Sequence, residues 1–418
     1  MLTTAQRPRL LTSTEPGWHA HIRAHGPLPP WPAAPSNRLL LEVEAAGLRG
    51  RGGGWFPTAA KMRAVMTASH NGGGPAVVVA NAMDSEPASL KDATLLAASP
   101  HLVLDGLVCA AQAVWAQEAI LCLPQDNPAV PVVASALAER SSRGADPLPI
   151  RLVCPPHRYL SGEESALVQW LNGEEARPSM GKPYAAGVQG RPTLVQNVET
   201  LAQLALIVRH GAAWFRSAGT QAATGTTLVS VSGAVNRPGV VEIGVGTSIV
   251  EIVNRCEGVS APVQAVLTGG YGGAWLPAAL GELPWSPEDL AAHGGSAGAG
   301  VLVLLPGDSC GIVETARAVS YLAEQGAQQC GPCRFGLPAL AAHMHEIAQP
   351  ATSPFDQRGA AHLSSRIRGR GACRLPDGAS RLVDSALEVF ADELSAHRRG
   401  QCSGGRQVLP TPRRKGLA

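Results

Sequence analysis

The feature that most constrains the fold is the apolar run PAVVVANAM (75–83), which passes directly into the polar stretch DSEPASLKD. A continuous run rich in β-branched residues predicts a strand that is buried on both faces. The runs AILCLP (119–124) and PIRLVCPP (149–156) predict two more strands, with a long helical region (90–117) after the first. Strands that alternate with helices indicate a parallel α/β sheet.

The remainder of the chain changes character twice. Residues 226–256 alternate hydrophobic and polar positions, which predicts a β-hairpin followed by a short helix in a small β-grasp-like module. From about residue 308, four segments show helical periodicity and indicate a helical bundle. The predicted domains are an irregular lead-in (1–40), an α/β domain (41–222), a β-grasp domain (223–305), a helical domain (306–400) and a basic tail (401–418).

Composition excludes several classes of protein. The chain has 418 residues, of which 45% are hydrophobic and 16% charged, so it is expected to fold as more than one globular domain. A net charge of +2 argues against a nucleic-acid-binding surface. The sequence contains no run of 18 apolar residues that would predict a membrane span, and its N-terminus lacks the apolar core of a signal peptide. These absences predict a cytoplasmic protein.

A glycine-rich loop, GLRGRGGGWFPTAAK (47–61), precedes the first predicted strand. Glycines let the backbone approach a phosphate and present several N–H groups to it, and Arg49, Arg51 and Lys61 would add positive charge. The loop is not the dinucleotide-binding fingerprint, which follows a strand, and it lacks the Gly-Lys-Ser/Thr ending of a Walker loop. A flexible surface loop remains the alternative.

Three further polar segments accompany this loop; the first two follow predicted strands, and in the third Gln196 and Asn197 precede a predicted helix. They are NAMDSEPASLKD (81–92), YLSGEESALVQWLNG (159–173) and RPTLVQNVETLA (191–202). Open α/β sheets bind ligands at the carboxyl ends of their strands, which is where the first two segments lie. A turn or a helix cap would explain any one segment alone, but the ordered set predicts a binding site.

The nine cysteines divide into three groups. Four lie in apolar runs and are expected to pack in the core, and Cys402 lies in the polar tail and is expected to be incidental. The others cluster in the last quarter of the chain, which favours metal or redox chemistry: Cys310, Cys330, Cys333 and Cys373. From spacing alone, a zinc site, a redox disulfide and an iron–sulfur site all remain open.

In this order the segments resemble the flavoprotein NADH-binding subunit of respiratory complex I and its relatives in NAD-linked hydrogenases and formate dehydrogenases. The family pattern reads GRGGAGFPTGxKW, NxDE(S/G)EPGTxKD, YxxGEExAL, NNVET and SCGxCxPCRxG. This chain has GRGGGWFPTAAKM, NAMDSEPASLKD, YLSGEESAL, QNVET and GAQQCGPCRFG, with Cys373 beyond. The resemblance covers about residues 35–395. It implies a Rossmann-like FMN domain, a β-grasp module of the soluble-ligand-binding type and a four-helix bundle with an iron–sulfur site.

The resemblance also implies roles for individual residues. NAD(P)H would reduce FMN without a protein acid or base, and electrons would then pass to a 4Fe–4S cluster. The acceptor beyond the cluster would be a ferredoxin-like or thioredoxin-like iron–sulfur protein, or a quinone-linked acceptor. Membership of such a complex would place the chain at the periphery of the inner membrane. Glu86 and Glu164 would face NADH, and Phe56 would stack on it. The residues implied to hold FMN are Gly50, Arg51, Gly52, Gly53 and Lys61 at the phosphate region, Asn81, Asp84 and Ser85 along the flavin, Tyr159, Gly162, Glu163 and Glu164 on the opposite wall, and Gln196, Asn197 and Thr200 at the phosphate end.

The chain departs from the family pattern at several positions. Met83 replaces an acidic residue near the flavin, and Trp55 replaces a loop glycine, where a ring could block the nicotinamide. Cys330, Cys333 and Cys373 match three cluster ligands, whereas Ala327 occupies the position of the fourth. A cluster with one open iron, a 3Fe–4S form, Gln328 or Cys310 as substitute ligand, a zinc site using His343 or His345, and no metal at all remain open. The alternative function is a non-catalytic binding or assembly protein that retains the fold.

Overall fold

The computed structural model describes residues 8–13, 15–29, 38–350, 357–402 and 404–411, with side chains from 359 in the fourth range. The described residues form two compact units. The first comprises residues within Met1–Ser85, Leu90–Leu228 and Glu242–Thr247, and the second those within Glu86–Ser89, Val229–Val241 and Ser248–Ala418.

The first unit contains a four-stranded parallel sheet with the order β3-β2-β1-β4. Its strands are β1 (Val77–Asn81), β2 (Glu118–Cys122), β3 (Ile150–Val153) and β4 (Thr193–Asn197). The first four residues of β1 are buried, because this strand has a parallel neighbour on each side. The predicted α/β sheet is confirmed, and β4 is a strand that the sequence did not predict.

Eight helices accompany this sheet in the described residues: α1 (Trp18–His25), α2 (Arg38–Ala46), α3 (Thr58–Ala68), α4 (Lys91–Ala98), α5 (Pro100–Ala113), α6 (Val130–Ser142), α7 (Glu164–Leu171) and α8 (Val198–Arg216). The helical region predicted over 90–117 is present as two helices, α4 and α5. It breaks at Ser99, because Pro100 begins a new helix at a position that needs no N–H. The lead-in (1–40) was predicted to be irregular, but it contains α1. For residues 1–7, 14 and 30–37, which lie outside the described residues, that prediction stays untested.

The second sheet is mixed, with the strand order β6-β5-β9-β7-β8. Its strands are β5 (Thr226–Gly233), β6 (Gly239–Gly244), β7 (Val263–Thr268), β8 (Ala274–Pro277) and β9 (Val301–Pro306). β5 and β9 pair in parallel, whereas β7 pairs antiparallel with both β8 and β9. Helix α9 (Ile249–Arg255) follows β6, and α10 (Pro287–Ala292) precedes β9. This topology is that of a β-grasp, as predicted.

The described part of the C-terminal region contains five helices rather than the four predicted: α11 (Gly311–Gln325), α12 (Leu337–Ala348), α13 (Gln357–Ile367), α14 (Leu375–Val389) and α15 (Ala391–Arg398). The fourth periodic segment is broken at Phe390, where the backbone leaves helical geometry. A widened helical turn, Pro332–Gly336, lies between α11 and α12 and packs against α14.

No single helix in these described ranges has the length and apolarity of a membrane span. The pair α4 and α5 reaches that hydropathy only when taken together, and it is bent by 99°.

Candidate functional site

The carboxyl edge of the parallel sheet brings three of the predicted segments together. Asn81 ends β1 and lies beside Asn197, which ends β4, in the strand register. The Asn81 side-chain amide donates to the Gly162 carbonyl at 2.9 Å, and the Asn197 amide donates to the Asn81 carbonyl at 3.3 Å. The Asn197 side-chain oxygen also accepts from the Glu199 N–H and caps α8. The sheet edge is therefore lined by polar groups from three separate stretches of chain.

The glycine-rich loop lies against this same edge. The Arg51 N–H donates to the Thr200 hydroxyl at 2.8 Å, and the Gly50 N–H donates to the Phe56 carbonyl at 2.8 Å, which closes the loop. A Cβ atom added at Gly52 would lie 3.2 Å from the Asn197 Cβ atom, so the backbone approaches the end of β4 closely. Gly53 has a φ of 106°, which favours glycine. Thr200 thus positions the loop that the sequence predicted it to accompany.

The Arg51 side chain points into the protein interior. Its guanidinium donates to the carbonyls of Thr224 at 3.0 Å and Thr226 at 3.2 Å, and it lies 3.9 Å from the Glu199 carboxylate. Burial lowers the pKa of Arg51 to about 10, against the opposing effect of Glu199. The guanidinium therefore anchors the loop, and only the backbone of Arg51 contributes to the loop surface.

Trp55 occupies the loop position where the family pattern has glycine. Its φ is 49°, and its side chain is only 7% exposed. The ring lies over the Arg51 guanidinium at 4.2 Å, which is a cation–π contact. Its indole Nε1–H has no hydrogen-bond partner in the part of the chain that the structure describes. Trp55 is thus packed into the loop, not displayed on its surface.

Lys61 and Glu164 form an ion pair at the site. The Lys61 Nζ atom lies 2.6 Å from Glu164 Oε2 and 2.7 Å from the Val195 carbonyl oxygen. Both side chains remain partly exposed, at 21% and 33%. The neighbouring Glu163 caps α7, since its carboxylate accepts from the Ala166 N–H at 2.8 Å. Glu163 therefore orients the wall of the site, whereas Lys61 and Glu164 remain accessible to a ligand.

A buried charge cluster behind this edge was missed from the sequence. The Lys91 ammonium lies 2.5 Å from Asp92 and 3.1 Å from Glu199, and all three side chains are almost fully buried. Burial alone would lower the pKa of Lys91, but these two carboxylates outweigh it and hold the pKa above its usual range. Asp92 accepts from the Asn197 amide at 2.6 Å, and its N–H donates to Asp84. In the sequence, the adjacent Lys91 and Asp92 at the end of SEPASLKD were the signal that could have identified this charge cluster.

Of the other predicted residues, some lie at this site and one, Glu86, does not. A Cβ atom at Gly162 would lie 2.6 Å from Ser85 Oγ, so these two stretches touch, and Tyr159 begins the 3-10 turn that ends at Gly162. Phe56 is 59% exposed and available for stacking. Glu86 belongs to the second unit, where its buried carboxylate accepts from the Tyr271 N–H at 2.9 Å.

The site has groups that suit a polar cofactor such as FMN. Within the described ranges, Gln196 Nε2 and Ser161 Oγ are buried and have no hydrogen-bond partner. Buried polar groups are usually satisfied, so these two are suited to a bound molecule that supplies the missing partners. The close glycine loop, the Lys61 ammonium and the exposed Phe56 ring add a phosphate cradle, a positive charge and a stacking surface.

The second site is built around Cys333. Its sulfur accepts from the Gln328 N–H at 3.3 Å, and the backbone N–H groups of Ala327 and Gln329 also point to it. A Cβ atom at Gly326 would lie 2.5 Å from the sulfur, so the loop wraps closely around it. Burial raises the pKa of the Cys333 thiol, and the three amides act in the opposite direction. Several N–H donors on one sulfur suit a thiolate ligand.

Two further thiols accompany Cys333. Cys330 lies just before the widened turn, and Cys373 lies two residues before α14, which packs against that turn. Three thiolates on such elements suit an iron–sulfur cluster, and Ala327 supplies no fourth. Cys310 lies at the opposite end of α11, about 22 Å along a helix of 15 residues. The alternative in which Cys310 is the missing cluster ligand is therefore wrong.

Comparison with known proteins gives the class first. Residues 43–206 match the model of the Nuo51 FMN-binding domain, and residues 314–397 match the NADH-ubiquinone oxidoreductase-F iron-sulfur binding region. The chain thus contains an FMN-binding domain and, after the β-grasp sheet, an iron–sulfur-binding region.

Individual relatives then specify the family. An F-type subunit of the NADH-quinone oxidoreductase of Rhizobium meliloti (strain 1021) is 31% identical over 86% of this chain and 89% of its own length. The corresponding protein of Mycobacterium bovis is 30% identical over 91% of this chain and 89% of its own. The structure of an NAD⁺-reducing NiFe-hydrogenase in the H₂-reduced state matches with a TM-score of 0.80 and 30% identity, over 88% of this chain and 64% of that chain.

The chain belongs to the family of F-type subunits of NADH-quinone oxidoreductase. The resemblance drawn from its motifs is confirmed, as are the fold class and the expectation of FMN and iron–sulfur binding regions. This chain spans about 64% of the length of the hydrogenase chain that it matches.

Proposed function

We propose that this chain accepts electrons from NAD(P)H on FMN in its first unit and passes them through an iron–sulfur cluster in its second unit to a protein acceptor. The observation that carries the proposal is the convergence of the glycine loop with the ends of β1 and β4, where Gln196 and Ser161 lack partners within the described ranges. FMN supplies the exchange between a two-electron donor and a one-electron carrier.

The chain's own residues bind and orient the cofactor. The Gly50 and Arg51 N–H groups close and position the loop, so the N–H groups of Gly52 and Gly53 and the Lys61 ammonium would hold the phosphate. Asn81 and Asn197 are already ordered by the hydrogen bonds at the sheet edge, so they would meet the flavin without rearrangement. The further residues proposed to line this site are Asp84, Ser85, Tyr159, Gly162, Glu163, Glu164, Gln196 and Thr200.

The glycine-rich loop would determine which electron donor can reach the flavin. Phe56 is exposed and would stack on the nicotinamide dinucleotide, whereas the neighbouring Trp55 ring fills the position of a family glycine. Because the Trp55 ring is packed on the Arg51 guanidinium, it would leave the approach of the nicotinamide open, and the Glu164 carboxylate would disfavour a donor with additional negative charge there. NADH, the substrate named in the relatives, is the first donor to test.

The cluster would be held by Cys330, Cys333 and Cys373. Its fourth iron would bind water, a side chain or a partner group, because Ala327 offers no ligand. The acceptor would be an iron–sulfur subunit of a complex, of the ferredoxin-like or thioredoxin-like kind. The complex would be cytoplasmic and peripheral to the membrane.

The test is a visible spectrum of protein purified anaerobically and reconstituted with FMN, iron and sulfide. We expect a flavin absorption band at about 450 nm, and this band should bleach when NADH or NADPH is added. Lys61→Met should weaken FMN binding about ten- to hundredfold, because a charge-assisted contact is lost, whereas Lys182→Met serves as the exposed control. A colourless reconstituted protein would refute the proposal and favour the non-catalytic alternative. Bound flavin that neither nucleotide bleaches would require a different donor.

A further inference from the structure

A second group of metal-ligating side chains lies in the second unit at the beginning of α11. The ligand atoms of Cys310, His397 and Cys402 all lie within 4.8 Å of one another. Cys310 is the N-terminal cap of α11, His397 is the penultimate residue of α15, and Cys402 lies just beyond that helix. Two distant stretches of chain, the beginning of α11 and the end of α15 with the residues after it, therefore bring a nitrogen and two sulfurs close together.

The histidine is oriented as a metal ligand. His397 is fully buried, and its Nδ1 atom lies 3.0 Å from the Ile347 carbonyl oxygen. A carbonyl can only accept, so Nδ1 carries the proton and Nε2 presents its lone pair. That lone pair lies 3.4 Å from the Cys310 sulfur. A backbone carbonyl that fixes the tautomer in this way is the usual outer partner of a metal-bound histidine.

The separations match a tetrahedral site. Zinc bonds of about 2.3 Å to sulfur and 2.0–2.1 Å to nitrogen place the two ligand atoms about 3.6 Å apart at the tetrahedral angle. The Cys310 sulfur lies 3.4 Å from His397 Nε2 and 3.2 Å from Glu393 Oε2. The Glu393 carboxylate also accepts from the Gly311 N–H at 2.8 Å, so it is held in place beside the thiol. Little movement is needed to admit an ion.

We propose that Cys310, His397 and Cys402 bind a structural Zn²⁺ ion, with Glu393 or a water molecule as the fourth ligand. Two sulfurs and an imidazole nitrogen favour zinc over magnesium or calcium, which prefer oxygen. The site is distinct from the iron–sulfur site, because α11 separates Cys310 from the loop around Cys333.

The surroundings indicate what the ion would stabilise. The chain beyond Cys402 runs back along α11: the Ser309 hydroxyl donates to the Arg406 carbonyl at 2.9 Å, and the Leu409 N–H donates to Glu314 at 2.7 Å. Residues 404–411 of the predicted tail are therefore held beside α11 by hydrogen bonds, with Leu409 buried, and 412–418 lie outside the described residues. An ion on Cys402 would join this segment to the beginning of α11 and the end of α15.

The experiment measures zinc and iron together in the full-length protein with its cluster reconstituted. We expect one tightly held zinc per chain by mass spectrometry of the metals, and a tetrahedral thiolate–cobalt absorption when Co²⁺ replaces it. Cys402→Ser, at an exposed position that does not threaten folding, should weaken zinc binding at least about 100-fold in a chelator competition and leave iron unchanged. Cys330→Ser should lower the bound iron and leave zinc binding unchanged, and Cys154→Ser should change neither metal.

Three outcomes would overturn the proposal. One is a wild-type protein that holds no zinc against a weak chelator. Another is equal zinc affinity in wild type and Cys402→Ser, because the ion would then be bound elsewhere. The third is a disulfide between Cys310 and Cys402 in protein purified anaerobically, since oxidised sulfurs are not thiolate ligands.

Discussion

Replacing Lys91 by methionine should destabilise the first unit far more than the same change at Lys61. Lys91 lies 2.5 Å from Asp92 and 3.1 Å from Glu199, and the three side chains are 3%, 4% and 0% exposed. Removing the ammonium leaves two carboxylates buried, with the Arg51 guanidinium 3.9 Å from one of them. Breaking a buried ion pair from one side costs about 3–5 kcal/mol.

Lys61→Met is the matched control. The Lys61–Glu164 pair has nearly the same length, 2.6 Å, but the side chains are 21% and 33% exposed. Water can solvate the carboxylate that remains, so the loss should be about 0.2–1 kcal/mol. The two variants therefore separate burial from ion-pair distance, because both delete one ammonium from a short contact.

The assay is hydrogen exchange of the β1 and β4 amides in flavin-free protein. Exchange reports the first unit by itself, and omitting FMN removes the stability that a bound ligand adds. At about 1.4 kcal/mol per factor of ten, Lys91→Met should lower protection about 100- to 5,000-fold and Lys61→Met less than about tenfold. Equal losses in the two variants, or a loss below about tenfold in Lys91→Met, would refute the reasoning.

Three further outcomes are expected. Gly106→Ala should destabilise the first unit by at least about 1–3 kcal/mol in urea unfolding, since its Cβ would lie 1.8 Å from a backbone oxygen of α8; unchanged stability would contradict the helix contact. Cys373→Ala should abolish bound iron and acid-labile sulfide, whereas Cys310→Ala should retain both; equal loss would place Cys310 at the cluster. Burial, aided by cationic neighbours such as Arg140, lowers the pKa of His101 to about 4 against about 6.5 when unfolded, so stability should fall as the pH drops through that range. His101→Gln should reduce this fall in the urea midpoint, and an unchanged pH profile would refute the assignment.

The sequence predicted the parts of the fold that are locally encoded. β1 was evident because VVVA is uniformly apolar, and the polar residues at its end mark the edge of the sheet. β4 was missed because only three of its residues, 193–195, precede the polar pair at its end, and the strong helical period of α8 begins immediately afterwards. A strand this short is specified by its pairing with β1, which a single sequence does not show.

The candidate sites were likewise predictable from the sequence only where they are encoded by residues close together in the chain. The glycine loop and the motif residues were identifiable because their neighbours in sequence are also their neighbours in space. The Lys91 cluster was not identified, since Glu199 lies more than a hundred residues away and its burial depends on tertiary packing. Cys402 was predicted to be incidental because the surrounding sequence is polar, yet the packing of residues 404–411 brings it to Cys310 and His397.

Two of the departures from the family pattern, Met83 and Trp55, are buried within the first unit. Met83 is fully buried among Val79, Leu167 and Val195, so an apolar side chain suits this position where an acid would need a partner. Trp55 has a left-handed backbone conformation that costs about 1–2 kcal/mol. Burying its ring contributes about 4–6 kcal/mol, and the contact with the desolvated Arg51 adds to this. The buried indole Nε1–H, which has no partner among the described residues, offsets about 1–3 kcal/mol of this gain. Trp55→Gly should therefore loosen the loop, and a change in the rate of flavin reduction would report access to the flavin.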